Sequence, residues 1–341
     1  LRRSKDFAKT DTQPLSLSVV VPIKNEQDNI QSLIDSLAKQ NFPPQFFEVI
    51  LVNDHSDDKT VAIAARILTQ YSNFNLLDLP INLNGKKHAI DFGINHAKNS
   101  IIVLTDADCT HSNNWLLSIS DAFKNQESAL IIGPVKLETR KSTFGMMQAL
   151  EQASLSASTF GACGLGLPFM ASSANLAFSK SLLDYNLQML NPNHVSGDDV
   201  FLLHSAKRQG QRVSCNWNVN AQVTTKPVNT PKEFILQHAR WASKAPKYKD
   251  FFSIIVALIV LIFNALLFIL ILTTLVNPNL WKLLAIGFGV KLLFDFPLLL
   301  IYLTQFKQTS LLKVFLPLQL LYPFYVVITA AVSMLGKVKW K

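Results

Sequence analysis

The segment Phe251–Val276 carries no Lys, Arg, Asp or Glu and consists almost wholly of Leu, Ile, Val, Phe and Ala. A helix of about 20 apolar residues spans the hydrocarbon layer of a bilayer, so this run is long enough to cross one. Two further apolar stretches follow at 281–303 and 314–335, and three membrane helices are expected within 251–336. Such a run restricts the fold severely, because backbone polar groups surrounded by lipid must pair within their own helix. Polar chemistry is then left to the residues before 251. Composition agrees: charged residues make up only 16% of the chain and hydrophobic ones 49%, while residues 1–250 have an ordinary globular mix.

The second apolar stretch contains Lys291 and Asp295 at i, i+4 spacing. They can pair on one helix face, either as a structural ion pair turned toward other helices or as functional groups. Pro297, Pro317 and Pro323 suggest kinks or a re-entrant piece. Basic residues flank this half, with Lys244, Lys247 and Lys249 before it and Lys337, Lys339 and Lys341 after it. The net charge of +9 therefore points to anionic lipid headgroups. Basic residues interleaved with aromatics in a nucleic-acid module are not found, so no nucleic-acid partner is expected. The connection 277–279 is uncharged and the next carries Lys307 and Lys313, which favours a cytoplasmic soluble domain. Three crossings would put the final lysines outside, against the same rule. Cys109, Cys163 and Cys215 are far apart and show no CxxC spacing, as suits a reducing compartment. The opening Leu1-Arg2-Arg3-Ser4-Lys5 lacks an initiating Met and reads as the basic flank of a removed segment, so residues 1–16 are expected to begin a fragment.

Upstream, apolar runs rich in β-branched residues at 17–21, 49–52 and 101–104 read as strands, with a shorter strand near 76–79. Helical spacing of apolar residues falls between them at 28–40, 58–71 and 89–97. Alternating strands and helices argue for an α/β fold with a doubly wound parallel sheet, which binds ligands at the carboxyl ends of its strands. Asp54 and the pair Asp106/Asp108 sit just past two such ends. Two acids at i and i+2 suit a hard divalent cation that also takes diphosphate oxygens. Alone they read more readily as a turn or as a cap on a helix near 113–123.

The order of motifs decides between these readings. Val19-Val-Val-Pro-Ile-Lys-Asn-Glu26 comes first, followed by Val52-Asn-Asp-His-Ser-Asp-Asp58, Asn84-Gly-Lys-Lys-His88 and Asp106-Ala-Asp108. Ser196-Gly-Asp-Asp199 and Gln237-His-Ala-Arg-Trp241 complete the set. Across residues 17–245 this resembles the family 2 glycosyltransferases, whose GT-A fold is a Rossmann-like mixed sheet; the last motif fits the family's QxxRW. The resemblance implies a membrane-bound enzyme that transfers a sugar with inversion from a nucleotide-diphospho-sugar, a UDP-sugar being the expected donor, with Mg²⁺ or Mn²⁺ as cofactor.

It also implies roles for particular residues. Pro22, Glu26 and Asp54 would line the nucleoside pocket, and Lys86 or Lys87 would offset diphosphate charge or contact the base. Asp106 and Asp108 would hold the metal. Asp199 matches the base that deprotonates the acceptor, with Asp198 beside it, although both positions also suit helix N-capping. Arg240 would stabilise the leaving diphosphate, Trp241 would offer a flat surface to the acceptor, and Gln237 completes the motif. The segment Phe169–Asn175 has Ser where many relatives carry Gly. The acceptor is expected to be lipid-linked or part of the cell envelope at a bacterial inner membrane. A processive polysaccharide synthase is the nearest alternative, and a catalytically silent nucleotide-sugar-binding scaffold is the alternative of another class.

Overall fold

A computed structural model describes residues 13–139, 142–183 and 198–335, with only the backbone of Asp198. The basic start of the chain, Ser196, Gly197, the Asp198 side chain and the three final lysines lie outside the described residues.

The first half alternates as expected: β1 (Leu17–Ile23), α1 (Ile30–Ala38), β2 (Phe47–Asn53), α2 (Thr60–Leu68), β3 (Phe74–Asp78), α3 (Lys86–His96) and β4 (Ile101–Leu104). β3, β2, β1 and β4 lie side by side, all parallel. The apolar runs of β1, β2 and β4 are buried on both faces, as central parallel strands must be, while β3 at the edge is buried only at Phe74. The helix expected over 89–97 begins three residues earlier, because Gly85 caps it at φ 93°, a conformation open to glycine.

The chain continues through β5 (Thr110–His111), α4 (Trp115–Gln126), β6 (Leu130–Ile132), β7 (Val135–Leu137), α5 (Thr143–Gly164), β8 (Leu176–Ser179), α6 (Asp198–Arg208), β9 (Val213–Cys215) and β10 (Val223–Thr225). β8 runs antiparallel between β4 and β6, and β9 closes the edge, giving a mixed seven-stranded sheet in the order β3-β2-β1-β4-β8-β6-β9. A second sheet, β5-β10-β7, stands at the ligand end. Helix α4 starts at Trp115 behind Asn114 with no side-chain cap, so Asp108 does not serve as its cap.

Beyond α7 (Pro231–Ala242) come three long apolar helices, α8 (Phe251–Val276), α9 (Trp281–Gln305) and α10 (Phe315–Leu335), each long and apolar enough to cross a membrane. Pro297 and Pro323 lie inside α9 and α10 without ending them.

Two apolar clusters flank the large sheet. One packs α1 and α4 against one face, with Trp115 fully buried. The other joins α3, α5 and α6 to the opposite face, and it does not stop at residue 250. Leu299, Tyr302 and Leu303 of α9, and Phe306, Leu311, Val314 and Phe315 beyond it, belong to the same cluster. Phe160 of α5 meets Tyr302 edge-on at 5.5 Å, and Trp217 stacks on Phe306 at 6.1 Å. The last turns of α9 are thus apolar because they are buried in protein.

Candidate active site

At the carboxyl ends of the strands lies a cavity of about 340 Å³. Its wall gathers Lys86, Asp106, Asp108, Asp199, Gln237, Arg240 and Trp241 from four separate segments.

β4 ends at Leu104 and delivers Asp106 and Asp108 to this wall. Lys86, on the first turn of α3, donates from Nζ to Asp106 Oδ1 at 2.6 Å and to Ser173 Oγ at 3.0 Å. Asp108 Oδ2 accepts the Thr225 hydroxyl at 2.9 Å, which ties the second acid to β10. Burial, and then the neighbouring Asp106 charge, hold the Asp108 pKa above the ordinary carboxylate value, against Thr225 and Lys86. Glu26 is raised too, first by burial and then, against its bond from Asn29, by Asp108 and Asp106. Burial acts to lower the Lys86 pKa, yet the carboxylates, Asp106 foremost, carry it above the usual lysine value. Negative charge is therefore crowded here beyond what Lys86 offsets.

Asp199 lies in the first turn of α6. Its Oδ2 accepts the Ser173 amide at 3.2 Å and its Oδ1 the Val200 amide at 2.8 Å. Both donors are backbone amides, but neither is two or three residues further along α6, so the bonds are not a helix cap, and the side chain lines the cavity. Each oxygen retains a lone pair for a further proton donor. Burial pushes the Tyr248 hydroxyl, also in the wall, up to about 12, with the Asp199 charge adding to it.

α7 opens with a capping box in which Thr230 Oγ1 accepts the Glu233 amide and Glu233 accepts the Thr230 amide, each at 3.2 Å. Gln237, Arg240 and Trp241 follow at i, i+3 and i+4 and share the cavity side of the helix. Burial lowers the Arg240 pKa, and the Asp106 and Asp199 charges oppose that.

Asp54 is buried at the end of β2, where it accepts from Lys24 Nζ at 3.3 Å and from the Gly85 amide at 3.0 Å. It lies outside the cavity wall, as do Pro22 and Glu26 at the end of β1. Lys87 is buried on α3 and is not part of the wall either. Cys109 is a buried free thiol.

Several wall residues carried no sequence signal. Ser173 links Lys86, Asp106 and Asp199 through one hydroxyl and one amide. Glu151 and His238 also face the cavity. Only the odd serine in the Phe169–Asn175 segment pointed toward the first of these.

Among the described residues no group of three or more His, Cys, Asp or Glu could hold a metal ion by itself. Two crowded carboxylates, Asp106 and Asp108, still fit a hard cation that completes its shell with water and diphosphate oxygens.

A strand-end cavity lined by paired acids, a carboxylate held at a helix start and a half-buried Arg, on this mixed sheet, is the arrangement of a GT-A fold. Residues 18–185 match the family described as "Glycosyl transferase family 2", so this part of the chain carries that family's domain. Among curated relatives, the glycosyltransferase AglE of Haloferax volcanii is 33% identical over 107 residues, covering 31% of this chain and 34% of its own. The dolichyl-phosphate beta-glucosyltransferase ALG5D of Trichomonas vaginalis is 30% identical over 142 residues, covering 39% of this chain and 43% of its own. The matched stretches thus span less than half of either relative. Among solved structures, the mannosyltransferase PcManGT from Pyrobaculum calidifontis, in complex with GDP-Man and Mn²⁺, superposes with a TM-score of 0.57 at 18% identity. That match covers 98% of this chain and 92% of the other, so the shared fold includes the apolar helices.

Proposed function

We propose that this chain is a membrane-seated, inverting, cation-dependent glycosyltransferase that moves a sugar from a nucleotide-diphospho-sugar, a UDP-sugar first, to a lipid-linked or cell-envelope acceptor. The observation that carries the reading is the single cavity in which Asp199 and Arg240 face the Asp106–Asp108 pair across a space large enough for a sugar.

In this reading Pro22, Glu26 and Asp54 line the nucleoside end, and Asp106 and Asp108 hold the divalent cation. When bound, that cation neutralises diphosphate charge. Lys86 and Arg240 supply fixed positive charge to the departing diphosphate. Asp199, held by the Ser173 and Val200 amides, takes the proton of the acceptor hydroxyl. The oxygen so freed bonds to the anomeric carbon as the bond from that carbon to the diphosphate oxygen breaks on the opposite face. Trp241 and Gln237 flank the acceptor's approach, and Asp198 neighbours the base. Lys244, Lys247, Lys249, Lys307 and Lys313 flank the ends of the apolar helices nearest the catalytic unit, which supports a cytoplasmic catalytic side.

The test is transfer by the full chain in lipid, supplied with labelled nucleotide sugars and a divalent cation, with lipid-soluble and polymeric products separated. Asp199→Asn should bind nucleotide as the parent does and lose roughly 10²- to 10⁴-fold in transfer rate, the range for a positioned general base. Unchanged transfer by that variant would remove Asp199 from the role. A long polymer would favour the processive synthase, and a parent that binds donors yet transfers to no membrane extract would favour the scaffold.

A further inference from the structure

Glu151 sits near the middle of α5, buried, and belongs to the cavity wall. Its Oε2 lies 3.1 Å from His238 Nε2 on α7, and its Oε1 accepts the Tyr325 hydroxyl of α10 at 3.3 Å. His238 Nδ1 faces the Phe234 carbonyl oxygen at 2.9 Å. Nδ1 therefore donates to a carbonyl, and opposite an ionised Glu151 Nε2 donates as well, which makes the ring an imidazolium paired with a buried carboxylate. Burial acts against that charge, but Glu151 and the Phe234 carbonyl hold the His238 pKa above its ordinary value.

The contacts continue in both directions. His238 meets the Trp241 ring edge-on at 4.5 Å, and Phe234 lies 5.3 Å from the Tyr325 ring. On the other side Tyr325 neighbours Tyr322 at 5.4 Å, and Lys291 of α9 lies over the Tyr322 ring at 4.7 Å. Lys291 pairs with Asp295, which also accepts from Gln319 of α10 at 3.1 Å. A carboxylate buried at this depth is costly unless every partner is in place, so the arrangement tolerates one geometry of α5, α7 and α10.

We propose that Glu151 is a positioning residue for sugar transfer: by holding His238 and Tyr325 together it sets the Arg240–Trp241 side of α7 against Asp106 and Asp199, and links the third apolar helix to that setting. The inference rests on the transferase reading above. Glu151 touches neither the paired acids nor the nucleoside end, so its removal should leave donor binding intact while the transfer geometry slackens.

The experiment measures steady-state transfer by the full chain in lipid, with nucleotide affinity and thermal unfolding followed in parallel. Glu151→Ala should lower kcat roughly 10- to 100-fold, the cost of a misplacement approaching 1 Å, with donor KM within about twofold of the parent. Glu151→Gln can accept from Tyr325 and donate to a neutral His238, and should recover to within about threefold of the parent kcat. Tyr325→Phe removes only the hydroxyl and should lower kcat by about three- to tenfold, again without moving donor KM; it decides the matter if Glu151→Ala does not accumulate. Parent kcat in the variant that decides, a loss carried by donor KM, or no recovery with Gln would each overturn the proposal. A parent that transfers no sugar would instead sink the transferase reading.

Discussion

His111 shows how a single side chain supports the acids without joining the chemistry. It lies between Ser36 Oγ at 3.0 Å from Nδ1 and Thr105 Oγ1 at 2.9 Å from Nε2. Thr105, next to Asp106, passes its own proton to the Ala174 carbonyl at 3.0 Å, which ties the acid-bearing loop to the Ser172–Asn175 segment. Burial lowers the His111 pKa from 6.5 to about 3. The unfolded chain therefore binds a proton near pH 6.5 that the folded chain refuses, and stability contributed here is complete above that pH and declines as pH falls toward 3. Thermal unfolding from pH 7 downward should show a flatter acid-side decline for His111→Gln than for the parent, although the variant starts lower. Equal slopes would exclude His111 as a source of acid sensitivity. Of the residues around the cavity, those at strand ends and in QHARW were legible from spacing and motif order. Glu151 was not, because a glutamate between Leu150 and Gln152 reads as an exposed helix acid; its partners lie 87 and 174 positions away.

The element scale is decided by how closely backbones approach. Gly133, between β6 and β7, donates its amide to the Asn175 carbonyl at 2.9 Å, and a Cβ there would fall 2.2 Å from Asn175 Cγ. Asn175 cannot yield easily. It accepts from Trp115 Nε1 at 3.1 Å and donates to the Pro134 and Ala221 carbonyls at 2.9 and 2.7 Å. Gly133→Ala should therefore cost about 1–3 kcal/mol, the usual penalty of overpacking a dense core, and lower Tm measurably. A Tm equal to the parent's would mean that the Asn175 network adapts. β1, β2 and β4 were readable because each is a sustained aliphatic run rich in Val and Ile, and β3 because its leucines fall between two helical patterns. β6, β7, β9 and β10 are three residues each, too short to show a period, so the antiparallel reversal at β8 was not visible. Lys291 and Asp295 could be paired from spacing alone, but not placed against Tyr322 and Gln319.

For the whole molecule the consequence lies in the apolar helices. Tyr302, Leu303 and Phe306 cover Phe160, and Gln305 donates to the Trp217 carbonyl at 2.7 Å. Burying one such large side chain is worth roughly 1.5–3 kcal/mol, and several are shared here. A chain ending at residue 250 would expose them, and is expected to aggregate or bind a hydrophobic dye while the full chain in lipid elutes as a single species. A monodisperse, nucleotide-binding truncation would show that the catalytic unit stands alone. The sequence by itself determined the order of elements, the acids at the strand ends and the presence of helices apolar enough for a membrane, because these are local properties of pattern and composition. Only the tertiary structure decided which apolar residues face protein and which face outward, since a leucine is equally hydrophobic in either setting. It likewise decided that Glu151, His238 and Tyr325 meet, because a contact between distant positions leaves no trace in the spacing of either.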